Sequence, residues 1–280
     1  MKSDKNLIKC EREVPFRSDT NPTLKLTLYW YPESTSPTPA VFWFFRGGWC
    51  NGNRKNCIQA LYLLLHNVAL ICPDYRMSYQ AVFPAQIEDA KAAVRWVRAK
   101  ADKYNIDPDR FGVWGESAGG YLASMLGVTS SMDIWNHKGH FPDISSAVQA
   151  VSLWAAPSYF YQMNDKCCIY DHYAPDSYES RLLGAPIAKI PEKVETANPV
   201  NYINDKNSDN VPPFLIMHGS DDKIIIPEQS GLLHEALTAK GFSSEFILLD
   251  GYGHEFEFDM QAEIDPVINF FKKHLKKNEV

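Results

Sequence analysis

The stretch that decides the fold is Arg110-Phe-Gly-Val-Trp-Gly-Glu-Ser-Ala-Gly-Gly120. Its first half is a short apolar run that predicts a strand, and the small and apolar residues from Ala118 to Leu126 predict a buried helix directly after it. The turn between them contains Ser117 flanked by Gly115 and Gly119. A turn this sharp tolerates only small flanking residues, so the pattern predicts that Ser117 is raised at the end of a strand as a nucleophile.

Strands and helices alternate on both sides of this turn. Apolar runs predict strands, and apolar residues at helical spacing predict helices. The predicted strands are 24–30, 41–45, 68–72, 110–114, 148–155, 213–218 and 245–250, and the clearest helices are 87–97, 118–126, 228–240 and 264–275. This order predicts an α/β protein with a mainly parallel sheet covered by helices on both faces, as a single domain over residues 1–280.

One segment does not fit the alternation. Residues 158–211 are too long for an ordinary connection and are rich in Tyr, Pro and Asn. We predict that this segment is a small, lid-like excursion, inserted between late strands as a partial cap over the sheet edge or the active site.

The composition narrows the classes of function. The 28 Lys and Arg residues against 34 Asp and Glu give a net charge of −6, which argues against nucleic-acid binding because phosphates require a basic surface. No apolar run is long enough to span a membrane, and neither a secretory signal nor a disulfide framework is recognisable, so we expect a cytoplasmic protein. The glycines form no nucleotide fingerprint, and no residues have metal-ligand spacing, so neither a cofactor nor a metal is expected.

A second catalytic signal lies in Phe45-Arg46-Gly47-Gly48-Trp49, which follows a predicted central strand. Two adjacent glycines allow two backbone N–H groups to face one point, as stabilisation of an oxyanion in acyl transfer requires. The sequence therefore predicts an oxyanion hole formed by Gly47, Gly48 and the backbone of Ala118.

The third signal is an acid and a base near the end of the chain. A serine nucleophile needs a general base, and the base needs an orienting carboxylate. His254 follows the last predicted strand in a glycine-rich loop, and Asp221 and Asp222 follow the strand before it. These positions predict His254 as the base and leave the two aspartates as alternatives for the acid. We interpret His218, beside the acid, as a hydrogen-bonded structural residue.

Taken together, these motifs resemble the α/β-hydrolase esterases, namely the hormone-sensitive-lipase-like carboxylesterases and, more narrowly, short bacterial acetyl-esterase or feruloyl-esterase-like members. The resemblance extends over residues 24–275 and rests on Phe45-Arg-Gly-Gly-Trp49, Asp74-Tyr-Arg76, Phe83-Pro-Ala85 with Asp89, Gly115-Glu-Ser-Ala-Gly-Gly120, Asn198-Pro199 and His218-Gly-x-x-Asp222. It implies the α/β-hydrolase fold. It also selects Asp222, because in this family the acid follows His-Gly-x-x, and it implies that Asp74-Tyr75-Arg76 is mainly structural and braces the strand end near the oxyanion loop.

One loop departs from the family pattern, which reads His-Gly-Gly-Gly-Trp where this chain has Phe45-Arg46-Gly47-Gly48-Trp49. Arg46 brings a side chain and a charge to a position that is usually glycine. We predict that its guanidinium either braces the loop or binds a carboxylate of the substrate. Trp49 and Trp154 adjoin predicted strand ends and are predicted to line the acyl pocket.

The sequence thus predicts a serine carboxylesterase that hydrolyses small-molecule esters of short acyl groups through Ser117, His254 and Asp222. Two alternatives stay open. One is an amide hydrolase of the same fold, either an arylformamidase or a small peptidase; the other is a non-catalytic binding protein, which only the altered loop favours. A homodimer is the expected assembly, since it is the commonest one among soluble proteins.

Overall fold

The computed structural model describes residues 7–164, 168–204, 211–255 and 259–276. Eight strands form one sheet with the order β1-β2-β4-β3-β5-β6-β7-β8. In chain order they are β1 (Lys9–Arg17), β2 (Leu24–Trp30), β3 (Thr38–Phe44), β4 (Ala69–Pro73), β5 (Ile106–Glu116), β6 (Ala150–Trp154), β7 (Phe214–Gly219) and β8 (Ser244–Leu249). The pairings of β1 with β2 and of β2 with β4 are antiparallel, and all the others are parallel.

Helices cover both faces of this sheet, as predicted. The α-helices are α1 (Ala85–Ala99), α2 (Ala118–Val128), α3 (Tyr178–Leu183), α4 (Pro191–Ala197), α5 (Glu228–Ala239) and α6 (Asp265–His274). Shorter 3₁₀ helices span Gln59–His66, Asp102–Tyr104, Phe160–Gln162, Ile187–Lys189 and Pro199–Tyr202, and a π-helical turn, Met260–Ile264, precedes α6.

The central strands are buried on both sides because their side chains alternate between two cores. Phe42 and Phe44 of β3 pack in the core beneath α1, α2 and α5. Val41 and Trp43 of the same strand pack in the core beneath α6 and the helix Gln59–His66. This explains why the central strands have continuous apolar sequences.

The edge strand β1 was not predicted, since its sequence is highly charged. Only its inner residues Val14, Phe16 and Arg17 are buried, and it pairs with β2 across two register shifts. A solvated, irregular edge strand therefore lacks the apolar run by which the central strands are recognised.

The described parts of the excursion lie between β6 and β7 and contain α3, α4 and three of the short 3₁₀ helices. Its first residues are fixed by Gln229 of α5, whose buried side chain accepts the N–H groups of Ser158 and Tyr159 at 2.9 and 2.8 Å. That this segment acts as a cap, and that residues 1–280 are one domain, stay predictions. No helix among the described residues has the length and apolarity that crossing a membrane requires.

Candidate active site

Ser117 occupies the tight turn between β5 and α2. Its backbone has φ 54° and ψ −119°, a strained conformation for a residue with a side chain. A Cβ at Gly115 would lie 2.3 Å from the carbonyl oxygen of Gly119, and a Cβ at Gly119 would lie 2.0 Å from the carbonyl oxygen of Phe44. Only glycine therefore fits on either side of Ser117, which is the physical reason for the Gly-x-Ser-x-Gly spacing.

The structure brings Ser117, His254 and Asp222 into one hydrogen-bonded chain. The Ser117 Oγ lies 3.0 Å from His254 Nε2, and His254 Nδ1 lies 2.7 Å from Asp222 Oδ2. Asp222 follows β7 and His254 follows β8, and these two strands are parallel neighbours. Because all three residues follow the carboxyl ends of parallel strands, they lie together at one edge of the sheet although they are far apart in sequence.

Asp222 is held by more contacts than the one to His254. Its Oδ1 accepts the backbone N–H groups of Ile224 and Ile225 at 2.8 and 2.9 Å, and its Oδ2 lies 3.0 Å from the Nε2 of the buried His218. Burial alone would raise the pKa of Asp222, but the hydrogen bonds from His218 and His254 outweigh it and hold this pKa well below the usual value. Asp222 is therefore ionised. The adjacent Asp221 is exposed.

The loop after β3 lies beside Ser117. Gly47 and Gly48 have φ angles of 129° and 57°, and both line one cavity together with Ser117 and Ala118. A Cβ on Gly48 would lie 2.5 Å from the ring of Tyr178, so the ring packs directly on this glycine. The three residues predicted to form the oxyanion hole thus border the nucleophile.

Arg46 ties this loop to the nucleophile turn. Its Nη1 lies 3.0 Å from Glu116 Oε1, and its Nη2 lies 3.4 Å from Glu255 Oε1. Glu116 is buried next to Ser117, and its Oε2 accepts a hydrogen bond of 3.2 Å from Gln59. Burial raises the pKa of Glu116, while the charges of Arg46 and His254 oppose that rise. These contacts are those of a loop brace, the first of the two roles predicted for Arg46.

Phe45, which stands where the family pattern has histidine, stabilises the loop by stacking. Its ring lies 4.4 Å from the ring of Tyr75 with a 17° angle between the planes. The Tyr75 hydroxyl also donates to the Phe45 carbonyl oxygen at 2.9 Å. Tyr75 therefore braces the first residue of the loop, directly after β3, whereas the resemblance implied a brace of the strand end near the loop.

The cavity around Ser117 has a volume of about 210 Å³. Trp49 lines it, as predicted, and packs edge-to-face on Tyr121. Trp154 does not line it, contrary to the prediction that both tryptophans border the acyl pocket. Along β6 the side chains of Val151 and Leu153 point into the core beneath α2, so Trp154 points into the opposite core, where it packs on Trp114.

Four further residues of the cavity wall were not identified from the sequence. Tyr170, His172, Tyr178 and Glu179 come from the excursion and line the same cavity as Ser117 and His254. Glu255, which follows the predicted base in sequence, also lines it. The segment that supplies the four has no regular spacing of apolar residues, so no sequence signal could have placed them.

No group of three His, Cys, Asp or Glu side chains suited to a metal ion occurs in the described ranges. Cys167 lies outside those ranges. The prediction of no metal and no cofactor is not tested by this observation.

Comparison with known proteins gives a family and several relatives. The family model BD-FAE matches residues 26–237. The esterase LipC of Mycobacterium tuberculosis is 30% identical over 83% of this chain and 56% of its own length. A probable isoprenylcysteine alpha-carbonyl methylesterase of Arabidopsis thaliana is 26% identical over 83% of this chain and 48% of its own. The chain thus spans about half the length of the curated relatives that it matches.

Solved structures agree over nearly the whole chain. A truncated form of a carbohydrate esterase from gut microbiota is 27% identical, with a TM-score of 0.84, over 98% of this chain and 99% of that one. A bifunctional GH43-CE protein of Bacteroides eggerthii is 30% identical, with a TM-score of 0.85, over 95% of this chain and 38% of that one. The predicted α/β-hydrolase fold and the resemblance to esterases of this fold are confirmed.

Proposed function

Since the chain belongs to the BD-FAE family, we propose that it is a carboxylic ester hydrolase that acts through Ser117, His254 and Asp222. The observation that carries the proposal is the chain of two hydrogen bonds, 3.0 and 2.7 Å, from the strained serine to the buried carboxylate. The named relatives are esterases or carboxylic ester hydrolases, which supports the same reaction class.

In this proposal the Ser117 Oγ attacks the ester carbonyl carbon while His254 Nε2 takes its proton. The Asp222 carboxylate accepts the Nδ1–H of His254 and stabilises the imidazolium. His254 then returns the proton to the alcohol oxygen as the C–O bond breaks, which leaves an acyl group on Ser117. A water molecule, activated by the same histidine, releases the acid.

The negative charge of the tetrahedral intermediate develops beside the glycine loop. The N–H groups of Gly47, Gly48 and Ala118 are the proposed donors to this oxyanion. Ala118 begins α2, so the positive end of the helix dipole also faces the charge. Because the loop is braced by Arg46 and Tyr75, the donors are positioned before the substrate arrives.

The size of the cavity supports a short acyl group. Its volume of about 210 Å³ lies below the roughly 300–1,000 Å³ that is typical of sites for drug-sized ligands. The rings of Trp49 and Tyr178 form part of its lining beside Ser117. We therefore expect acetate and propionate esters to react faster than long-chain esters.

The alcohol part of the substrate is proposed to be rich in hydroxyl groups. A second cleft of about 340 Å³ shares Tyr170, His172, Tyr178 and Glu179 with the first and is also lined by charged side chains. Tyr170 is 44% exposed there, so its ring is available to stack on a sugar. Similarity to a structure described as a carbohydrate esterase points to the same class of alcohol.

The test is hydrolysis of p-nitrophenyl esters from acetate to decanoate by the wild type and Ser117→Ala, beside labelling with a fluorophosphonate. We expect activity that falls with acyl length and that is lost, together with labelling, in the variant. Faster hydrolysis of N-formylkynurenine or of aminoacyl arylamides would favour the amide hydrolase. No labelling and no turnover by folded wild-type protein would favour the binding protein.

A further inference from the structure

A buried pair of ionisable residues lies in the cavity wall outside the candidate triad. His172 is 1% exposed, and Glu179, at the start of α3, is 2% exposed. Both belong to the excursion between β6 and β7, and both line the cavity that contains Ser117. Burying two ionisable groups costs free energy unless their hydrogen bonds compensate for the lost hydration.

Both ring nitrogens of His172 face oxygen acceptors. Nδ1 lies 3.1 Å from Glu179 Oε1, and Nε2 lies 2.7 Å from the carbonyl oxygen of Ile224. A carbonyl oxygen can only accept, so Nε2 carries a hydrogen. One further proton lies between Nδ1 and Oε1. Burial alone would lower the pKa of His172, but the hydrogen bond and charge of Glu179, the hydrogen bond to the Ile224 carbonyl and, least, the charge of Asp171 outweigh it and raise this pKa, which favours the imidazolium.

The carbonyl that His172 binds belongs to the peptide group that holds the triad acid. The oxygen of Ile224 and the N–H of Ile225 are the two ends of one planar peptide. That N–H donates to Asp222 Oδ1 at 2.9 Å. A single peptide group therefore connects the His172 imidazole on one side with the Asp222 carboxylate on the other.

We propose that His172, held by Glu179, is a positioning residue that acts on Asp222 through the peptide between Ile224 and Ile225. A donor on the carbonyl oxygen fixes the plane of this peptide and polarises its N–H toward Asp222. Asp222 then presents Oδ2 to His254 Nδ1 at the observed 2.7 Å. Only the kinetic consequence of this inference rests on the proposed function, because the hydrogen bonds are present whether or not the protein turns over a substrate.

A consequence is that the excursion and the triad are coupled. His172 and Glu179 come from the excursion, whereas the peptide they hold belongs to the loop after β7. Glu179 Oε2 is buried and has no hydrogen-bond partner among the residues that the structure describes. Glu179 therefore contributes to this site mainly through the one oxygen that faces His172.

The decisive experiment is a double-mutant cycle between His172→Gln and Asp222→Ala with p-nitrophenyl acetate as substrate. In the wild-type background, we expect His172→Gln to lower kcat about 10-fold, the size of one lost hydrogen bond. In the Asp222→Ala background, the same substitution should change kcat less than about twofold, because its target is already absent. Equal losses in both backgrounds would overturn the inference.

A matched control and a second variant complete the kinetic test. His234, on α5 outside the cavity, is bonded to Ser244 at 2.9 Å, and His234→Gln should leave kcat within about twofold. Glu179→Gln keeps the shape of the side chain but removes the charge, so it should reproduce the loss seen in His172→Gln. If His172→Gln does not fold, Glu179→Gln takes its place in the cycle.

Nuclear magnetic resonance of ¹⁵N-labelled histidines gives a readout that does not require turnover. We expect both ring nitrogens of His172 to be protonated at neutral pH, and the His254 Nδ1–H signal to move in His172→Gln but not in His234→Gln. An unchanged His254 signal would overturn the inference even if the rate fell. If wild-type protein hydrolysed no ester, the proposed function would fail, while these signals would still decide the role of His172.

Discussion

The two walls of the cavity are built in different ways. One wall contains Ser117 and His254. These two residues and the buried Asp222 follow β5, β8 and β7, which are parallel strands of a single sheet. On the other wall, Tyr170, His172 and Tyr178 come from an excursion made of short helices and turns. The proposed nucleophile, acid and base therefore follow strands of the sheet, whereas the residues proposed to contact the alcohol come from the excursion, together with His172, which is proposed to position the acid. We therefore expect substitutions in the two walls to differ in the kinetic parameter that they change and in the size of the change.

The largest effect is expected at the nucleophile. Ser117→Ala removes the oxygen that forms the acyl intermediate, and we expect kcat to fall by at least about 10⁴-fold. The measurement is hydrolysis of p-nitrophenyl acetate. Ser131→Ala, on an exposed turn that does not line the cavity of Ser117, is the control and should keep wild-type activity. Residual activity within tenfold of wild type would mean that another group is the nucleophile.

The next effect tests the acid. Asp222→Asn keeps the shape of the side chain but cannot stabilise the His254 imidazolium, so we expect kcat to fall by about 10³- to 10⁴-fold. Asp221→Asn is the matched control, because Asp221 is adjacent in sequence but exposed. Comparable losses in both variants would contradict the assignment of Asp222.

The same residue predicts a dependence of stability on pH. The pKa of Asp222 is lower in the folded protein than its usual value, so its ionised form stabilises the fold. This contribution is fully present above the usual aspartate pKa of about 3.9 and is lost as the pH falls toward the lowered folded value. The difference in unfolding free energy between wild type and Asp222→Asn should therefore shrink when urea unfolding is measured below about pH 4.

A smaller effect is expected where the two walls touch. Gly48→Ala places a Cβ 2.5 Å from the Tyr178 ring, so either the ring or the oxyanion loop must move. We expect kcat/KM for acetate esters to fall by about 10²-fold, because a displaced oxyanion donor costs that much. Tyr178→Ala in addition should restore part of the loss by making room. No recovery in the double variant would show that the loss comes from the positive φ angle of Gly48 rather than from the contact with Tyr178.

The smallest effect on rate is expected at the loop brace. We expect Arg46→Gln to lower kcat less than about 10-fold on neutral and carboxylate-bearing esters alike, since a brace does not recognise the substrate. A loss confined to carboxylate-bearing esters would favour the second role predicted for Arg46. Arg46→Lys, which keeps the charge, is the control.

Arg46 also affects how stability depends on pH. Burial raises the pKa of Glu116 and Arg46 opposes that rise, so without Arg46 the folded pKa moves further up. A carboxylate whose pKa is raised in the folded protein lowers the free energy of unfolding at pH values above its usual pKa. At pH values below the usual pKa it has no such effect. Thermal unfolding should therefore show Arg46→Gln more destabilised at pH 8 than at pH 5. An equal loss at both pH values would contradict this role of the ion pair.

Sequence patterns predicted the central strands of the sheet, but they predicted neither the edge strand nor the type of one short helix. The central strands were recognised because burial on both faces requires apolar residues throughout. The edge strand Lys9–Arg17 was not, because most of it is solvated. Between the predicted strands 41–45 and 68–72, Gln59–His66 forms a 3₁₀ helix, a type that apolar spacing over two turns does not distinguish from an α-helix.

The candidate site was predictable to a similar extent. Ser117 and His254 were identified from local spacing at strand ends, whereas Asp222 was separated from Asp221 only by the family resemblance. The prediction for Trp154 was wrong because it used the position of this residue at a strand end but not the direction of its side chain. The residue before it, Leu153, faces the core beneath α2, so Trp154 faces away from that core.

The tight turn at Ser117 and the parallel sheet could be predicted from the sequence, because both depend on steric or hydrophobic rules that act over a few residues. The order of nucleophile, acid and base followed from the architecture that these patterns imply. Three contacts were visible only in the folded structure: Arg46 binds Glu116, Tyr178 covers Gly48, and His172 is connected to Asp222 through one peptide. These contacts join segments that lie far apart in the chain, and the direction of a side chain across a cavity is set by packing, which no local pattern records.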